Sequence, residues 1–192
     1  MTGSDFDVDT DTDTDTDTGT DTDTDTDTNP HPTLADSIQL IGENAATIDA
    51  ATLADIPVEE RTVEIVCSTG DRYTDRWQGV PIPDLLETKA AAAASFPPST
   101  THLLIESRDG QRGCVAVESA LEGLLAIGKD GQPLEEIAGY ESRFVAPDVL
   151  GPRTVKDIAR IEAATLEPGE DPEAYERLLQ IEADEETTET DV

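Results

Sequence analysis

Two cysteines, one tryptophan and twelve basic side chains carry most of the chemistry this chain can offer. Cys67 and Trp77 share one stretch, EIVCSTGDRYTDRWQGVPIPDLLE, over residues 64–87. Cys67 ends an apolar-alternating run, and Trp77 is expected to open a turn further on. A thiolate is a soft metal ligand and a nucleophile. A free cysteine is more commonly a small buried hydrophobe, and on the residues alone that account is the stronger one. The bases are the second signal. Between 143 and 160 stand Arg143, Arg153, Lys156 and Arg160 against Asp148 and Asp157, so the segment is 4 − 2 = +2 in a chain whose net charge is 12 − 44 = −32. Positive potential held against the global trend is what an anion site needs. Ordinary surface ion pairing explains the same residues at roughly 0–1 kcal/mol per pair, and composition alone favours it.

The charge excludes whole classes of partner. A chain at −32 repels nucleic acid phosphate and anionic membrane surfaces, so neither is expected as a partner. Large acidic excess with few lysines is also how proteins stay hydrated in molar salt, where the Debye length is about 3 Å and self-repulsion is screened. The chain reads as halophilic. It has no apolar run long enough to span a bilayer. MTGSDFDVDT has no basic n-region, twin arginine or apolar h-region, so a cytoplasmic location is expected, with the cysteines as thiols.

The chain divides into three. Residues 9–28 alternate Asp and Thr, broken at Gly19, with no apolar residue on either face of a would-be strand. Residues 1–33 are therefore expected to be a disordered acidic tail; the spacing also lacks the glycine and closing glutamate of a calcium loop. Residues 167–192 form an acidic C-terminal segment in which DPEAYERLLQIEA reads as a short helix, with Asp171 as N-cap and Pro172 at the first helical position. Residues 34–166 read as the folded domain. Strands are expected at 37–41, 61–67, 101–107, 114–117, 124–127, 143–147 and within 155–163. PDLLETKAAAAA over 83–94 reads as one helix stopped by the prolines at 97 and 98. The mixture lacks a regular βαβ rhythm, which makes the fold class α+β with a mixed β-sheet and short helices.

Three segments, LIGENAATIDAATLADIP, VEIVCSTGDRYTDRWQGVPIPDLLE and the run from IESRDGQRGCVAV to RFVAPDVLGPRTVKDIARIEA, resemble in order the molybdopterin-binding oxidoreductase domain of the sulfite oxidase family, over about residues 37–163. The most specific part is the ending, RFVAPDVLGPRTVK, followed in specificity by the LLAIGKDGQPL turn. The resemblance implies that Cys67 gives its thiolate to molybdenum, with the dithiolene of the pterin supplying further sulfurs. It implies that Trp77 and Gly79 shape the turn beside that cysteine. It assigns Arg153 and Lys156 to the pterin phosphate, and Arg143 to the pterin or the substrate pocket. The implied activity is oxygen-atom transfer on a small substrate, with electrons leaving through a redox partner protein, since no haem motif or cysteine cluster is present. The sequence departs from the family at Gln111, where sulfite-oxidising members carry a tyrosine after Asp-Gly, and it has no counterpart of their upstream R-N-H segment. Those departures keep a second expectation open, a cofactor-free binding or scaffold domain that retains the fold. His31 and His102 are not expected to act.

Overall fold

A computed structural model of the chain describes residues 34–178, apart from 35 and 68. The expected tail over 1–33 lies outside the described residues. Ten strands run in chain order: β1 (Ile38–Ile41), β2 (Ala45–Ile48), β3 (Glu59–Val66), β4 (Arg72–Pro81), β5 (His102–Ser107), β6 (Arg112–Ala116), β7 (Leu124–Lys129), β8 (Gln132–Pro133), β9 (Arg143–Val145) and β10 (Ile158–Ala164). They form two sheets. The first has the order β2-β1-β10-β5-β6, and the second β3-β4-β7-β8 with β9 also on β7. The β1–β10 ladder is parallel and the others are antiparallel. Five short helices complete the fold, α1 (Ala50–Ala54), α2 (Ile82–Leu86), α3 (Lys89–Ala94), α4 (Val117–Leu121) and α5 (Leu134–Ala138). The α+β class with mixed sheets is what the sequence implied.

Period-2 alternation sorts the side chains into three apolar layers. Leu103 and Ile105 of β5 enter the main core with Ile38 and Leu40 of β1, Ile161 of β10, and Val80, Leu125 and Phe144 of the other sheet. Helical Leu53, Ile82, Leu85, Ala91, Ala94 and Ala120 join them. Leu124, Ala126 and Val145 point the other way and pack with Val63, Ile65, Trp77 and Leu134. On the outer face of the first sheet, Leu104 and Cys114 pack with Leu166 and Tyr175.

Three expectations are corrected. Trp77 does not open a turn. It sits within the ten-residue β4, paired with Arg61, and is 1% exposed. Gly79 lies in the same strand at a register shift, where a Cβ would meet Leu125 O at 2.2 Å. The glycine lets β7 approach; it shapes no turn beside Cys67. Five ladder steps separate the Val66–Arg72 pair at the hairpin tip from the Arg61–Trp77 pair, roughly 17 Å of strand. Second, the single helix over 83–94 is two helices. Thr88 turns extended (ψ 159°), accepts the Ala91 N–H at 3.1 Å and donates to the Leu85 carbonyl at 2.8 Å, so it caps α3 instead of continuing α2. Ser95, in the left-handed region at φ 58°, ends α3 before the prolines. Third, the C-terminal helix is one 3-10 turn, Pro172–Tyr175, with Asp171 capping the Glu173 N–H at 3.0 Å. Glu176 leaves it extended (ψ 151°). Leu179 and Ile181, expected on its apolar stripe, lie outside the described residues.

Candidate cofactor site

The β3–β4 hairpin closes through a short turn that begins at Cys67. The Cys67 N–H donates to the Asp71 carbonyl at 2.8 Å, and its own carbonyl accepts the Gly70 N–H at 2.9 Å. Gly70, at φ +88°, supplies the left-handed residue such a turn needs. The thiol is thereby carried half-buried just past the strand end.

A second turn, the 3-10 stretch Gly151–Arg153, packs directly on it. Val66 and Leu150 form a parallel bridge. A Cβ on Gly151 would stand 3.0 Å from Val66 O and 3.3 Å from the Cys67 Cα, so this contact tolerates little beyond glycine. The turn is held from inside by Thr154, whose N–H and hydroxyl both donate to the Gly151 carbonyl at 3.0 and 2.7 Å. From outside, the Gln111 amide donates to the Pro152 carbonyl at 2.7 Å. Gly113 in β6 lies so close that a Cβ there would reach the Arg153 Cα at 3.2 Å. Gln111, noted in the sequence only as a missing phenol, is thus a strut of the turn that carries Arg153.

The four bases of the locally positive segment separate in space. Arg153 is half-buried and directs its Nε at Glu176 (2.5 Å), with Glu173 at 3.6 Å. The hydrogen bond it donates to Glu176 raises its pKa above the ordinary arginine value, against a smaller desolvation effect. Arg143 lies with its guanidinium 5.3 Å from the centre of the Trp77 ring and donates to Thr154 through Nη2 to Oγ1 (2.7 Å) and Nε to the carbonyl (3.3 Å). It ties β9 and buried Trp77 to the residue after Arg153. Lys156 is exposed, its Nζ 5.5 Å from the Tyr140 ring centre, and its backbone bridges Arg143. Arg160 pairs with Glu162 at 2.7 Å. Cys67 and the Arg153 turn are therefore brought into contact. Arg143 joins them through Thr154, and Arg160 pairs with Glu162 on β10 itself. Glu176, Thr154 and Gln111 were not singled out as site residues. The available signal was the acidic spacing Glu173, Glu176 in a segment read as a separate element.

Cys114 has different surroundings. It is 3% exposed, and burial, with Glu176 nearby, pushes its thiol up to about 11. Among the described residues no group of three or more His, Cys, Asp or Glu gathers in metal-binding geometry. A metal held at Cys67 would therefore draw most of its ligands from a cofactor. One half-buried sulfur donor, packed on a turn that carries a guanidinium, fits a group that offers sulfurs to a metal and a phosphate to a base.

One mixed and one antiparallel sheet, with short helices and an arginine turn packed on a hairpin tip that carries a thiol, define an α+β domain. The family model for the oxidoreductase molybdopterin binding domain matches residues 35–170, and the chain belongs to that family. No curated protein matches it. Among solved structures it is similar to the sulfane dehydrogenase SoxCD from Paracoccus pantotrophus, with a TM-score of 0.58 and 20% identity over 68% of this chain. This chain spans 38% of that one. The described residues contain no helix long and apolar enough to cross a membrane.

Proposed function

We propose that the chain is a molybdopterin-dependent oxidoreductase that transfers an oxygen atom to or from a small substrate. The observation that carries this reading is the contact between Cys67 and the Gly151–Arg153 turn, within a domain of the molybdopterin-binding family. When bound, molybdopterin supplies two-electron chemistry in which water is the source or sink of the oxygen. The protein's own contributions are ligation and positioning. Cys67 acts as the metal thiolate, which requires loss of its proton on binding. Arg153 and Lys156 recognise the phosphate by charge and hydrogen bonds. Arg143 serves the pterin or substrate side, and its bonds to Thr154 set the orientation of the turn. Electrons pass to a redox partner protein, and the acidic surface favours a salt-rich cytoplasm.

A second reading, a cofactor-free scaffold that keeps the fold, is favoured by one observation: two carboxylates already face Arg153. Molybdenum and pterin per chain separate the two. The full chain, purified in molar KCl from a host that makes the cofactor, is expected to carry both, and Cys67→Ser to lose them. Equal metal in wild type and Cys67→Ser removes the ligand assignment. No metal in wild type selects the scaffold.

A further inference from the structure

The segment beyond β10 leaves the domain and returns as a strap. Gly169, at φ +94°, turns the chain, and Asp171 caps the 3-10 turn that follows. Tyr175 packs against the outer cluster of Leu104, Cys114 and Leu166. Arg177 then exchanges two backbone hydrogen bonds of 2.9 Å with Arg112, so the strap adds a bridge to the free edge of β6. Arg177 Nη2 donates to Glu106 at 2.8 Å, and Arg112 Nε donates to the same carboxylate at 2.7 Å.

Between these anchors lies Glu176, with a side chain only 4% exposed. One oxygen accepts from Arg153 Nε at 2.5 Å and from the Cys114 N–H at 3.3 Å. A carboxylate so far out of water is tolerated only when paired, and Arg153 is the cation it has. Leu150, Pro152 and Arg153 form one wall of a cleft of about 660 Å³, and strap residues Glu173, Glu176, Arg177 and Leu178 form the other. The family match ends at residue 170, so the strap lies outside the matched domain.

We propose that the strap is an internal competitor for the anion site: the Glu176 carboxylate occupies Arg153 in place of a phosphate group, and a phosphate-bearing ligand binds there by displacing the strap. This rests on the reading of Arg153 as a phosphate-binding residue. The physical ground is like-charge exclusion. A phosphate brought to Arg153 would face Glu176 and Glu173 across the cleft, and this repulsion is relieved when the strap leaves. The strap would then keep the arginine turn ordered and the site closed until the ligand arrives.

The test uses the full chain from a host lacking molybdenum cofactor, in molar KCl. Inorganic phosphate is titrated while the Arg153 side-chain Nε–H signal and the exchange rate of the Arg177 amide are followed by NMR. Glu176→Gln removes the competing charge at constant shape, and half-saturation is expected at about ten-fold less phosphate than in wild type. Glu173→Gln alters an exposed side chain whose charge molar KCl largely screens, and is expected to shift it by about two-fold or less. In wild type, Arg177 exchange should rise as Arg153 saturates. Equal half-saturation in wild type and both variants overturns the proposal, as does saturation without faster Arg177 exchange. Phosphate binding needs no metal, so the outcomes are separable. Phosphate gained by Glu176→Gln in a chain that never carries molybdenum keeps the strap and removes the cofactor. Metal lost in Cys67→Ser, with phosphate binding unchanged by Glu176→Gln, does the reverse.

Discussion

The Gly151–Arg153 turn has a cysteine on either side. On one side, Gly151 rests against Cys67, half-buried at the hairpin tip. On the other, Arg153 meets Gly113, and Cys114 follows it into a packed layer closed by Tyr175 and flanked by Glu176. The side chain is the same and the surroundings decide its use. Cys114 is desolvated beside a carboxylate, so its thiolate is disfavoured twice. Cys67 lies half-buried at the hairpin tip, against the backbone of Gly151. On the proposed reading, the soft ligand is the first cysteine, and the second is a small packed hydrophobe.

Thiol labelling is the sharpest way to break this contrast. In metal-free chain at pH 8, Cys114 with its pKa near 11 is about 0.1% thiolate, and burial slows access further. It should react with iodoacetamide at least ~100-fold more slowly than a free cysteine peptide. Cys67 should be labelled readily, and become protected once metal is bound. Equal rates for the two sites would mean that the hairpin tip is as closed as the outer layer.

The next largest effect is on metal content. Cys67→Ser exchanges a soft thiolate for a poorly ionised hydroxyl, and molybdenum per chain should fall by about ten-fold or more. Cys114→Ser should leave the metal in place. Elemental analysis of both variants checks this, and a loss on the Cys114 side would shift the proposed ligand across the turn.

Stability should respond in the opposite sense. A serine hydroxyl at Cys114 enters a layer that is only 3% exposed there, and costs about 1–3 kcal/mol if it finds no partner. Chemical denaturation in molar KCl measures it. Cys67→Ser, in a half-exposed turn, should change the midpoint by less than about 0.5 kcal/mol equivalent.

How much of this contrast was legible in the sequence depends on where its determinants lie. β5, β7 and β9 read directly, because THLLIES, LLAI and RFVAP are apolar on one or both faces. β4 did not. Its first half, RYTDR, carries no apolar alternation, and it is a strand because β3 pairs with it residue by residue, while β7 pairs only with Trp77 to Pro81. Trp77 was therefore assigned to a turn. The break at Thr88 was written in an N-cap residue preceding an alanine run, but helix propensity hid it. The +2 segment is a count the sequence shows, but the pairing of its Arg153 is not legible there, because Glu173 and Glu176 come from beyond the family domain. The contact of Cys67 with Gly151 is a tertiary fact, and the resemblance to a family was what linked Cys67 and Arg153 in advance.

The smallest expected effect concerns the strap's hold on the Cys114 side, and acid should loosen it. Burial pushes the Glu106 pKa up, but the hydrogen bond and charge of Arg112, with Arg177 and Arg160 adding, outweigh it and hold the group below its ordinary 4.5. A carboxyl with a depressed folded value contributes stability that is fully present above the unfolded value and lost as pH falls through the folded one. From pH 6 down to about 4.5 the Glu106 pairs should therefore stay intact, and below that the Arg112 and Arg177 contacts should weaken together. Falling pH also neutralises part of the −32 charge, which eases global repulsion and works against the effect. Glu173 and Glu176 face Arg153 from the same strap, so the Glu106 share is isolated only by comparing wild type with Glu106→Gln. Protection of the Arg177 amide against exchange should drop below pH 4.5 in wild type, and from a lower plateau drop less in Glu106→Gln. Identical pH profiles would mean that Glu106 holds β6 alone and that the strap depends on Glu176 and Tyr175.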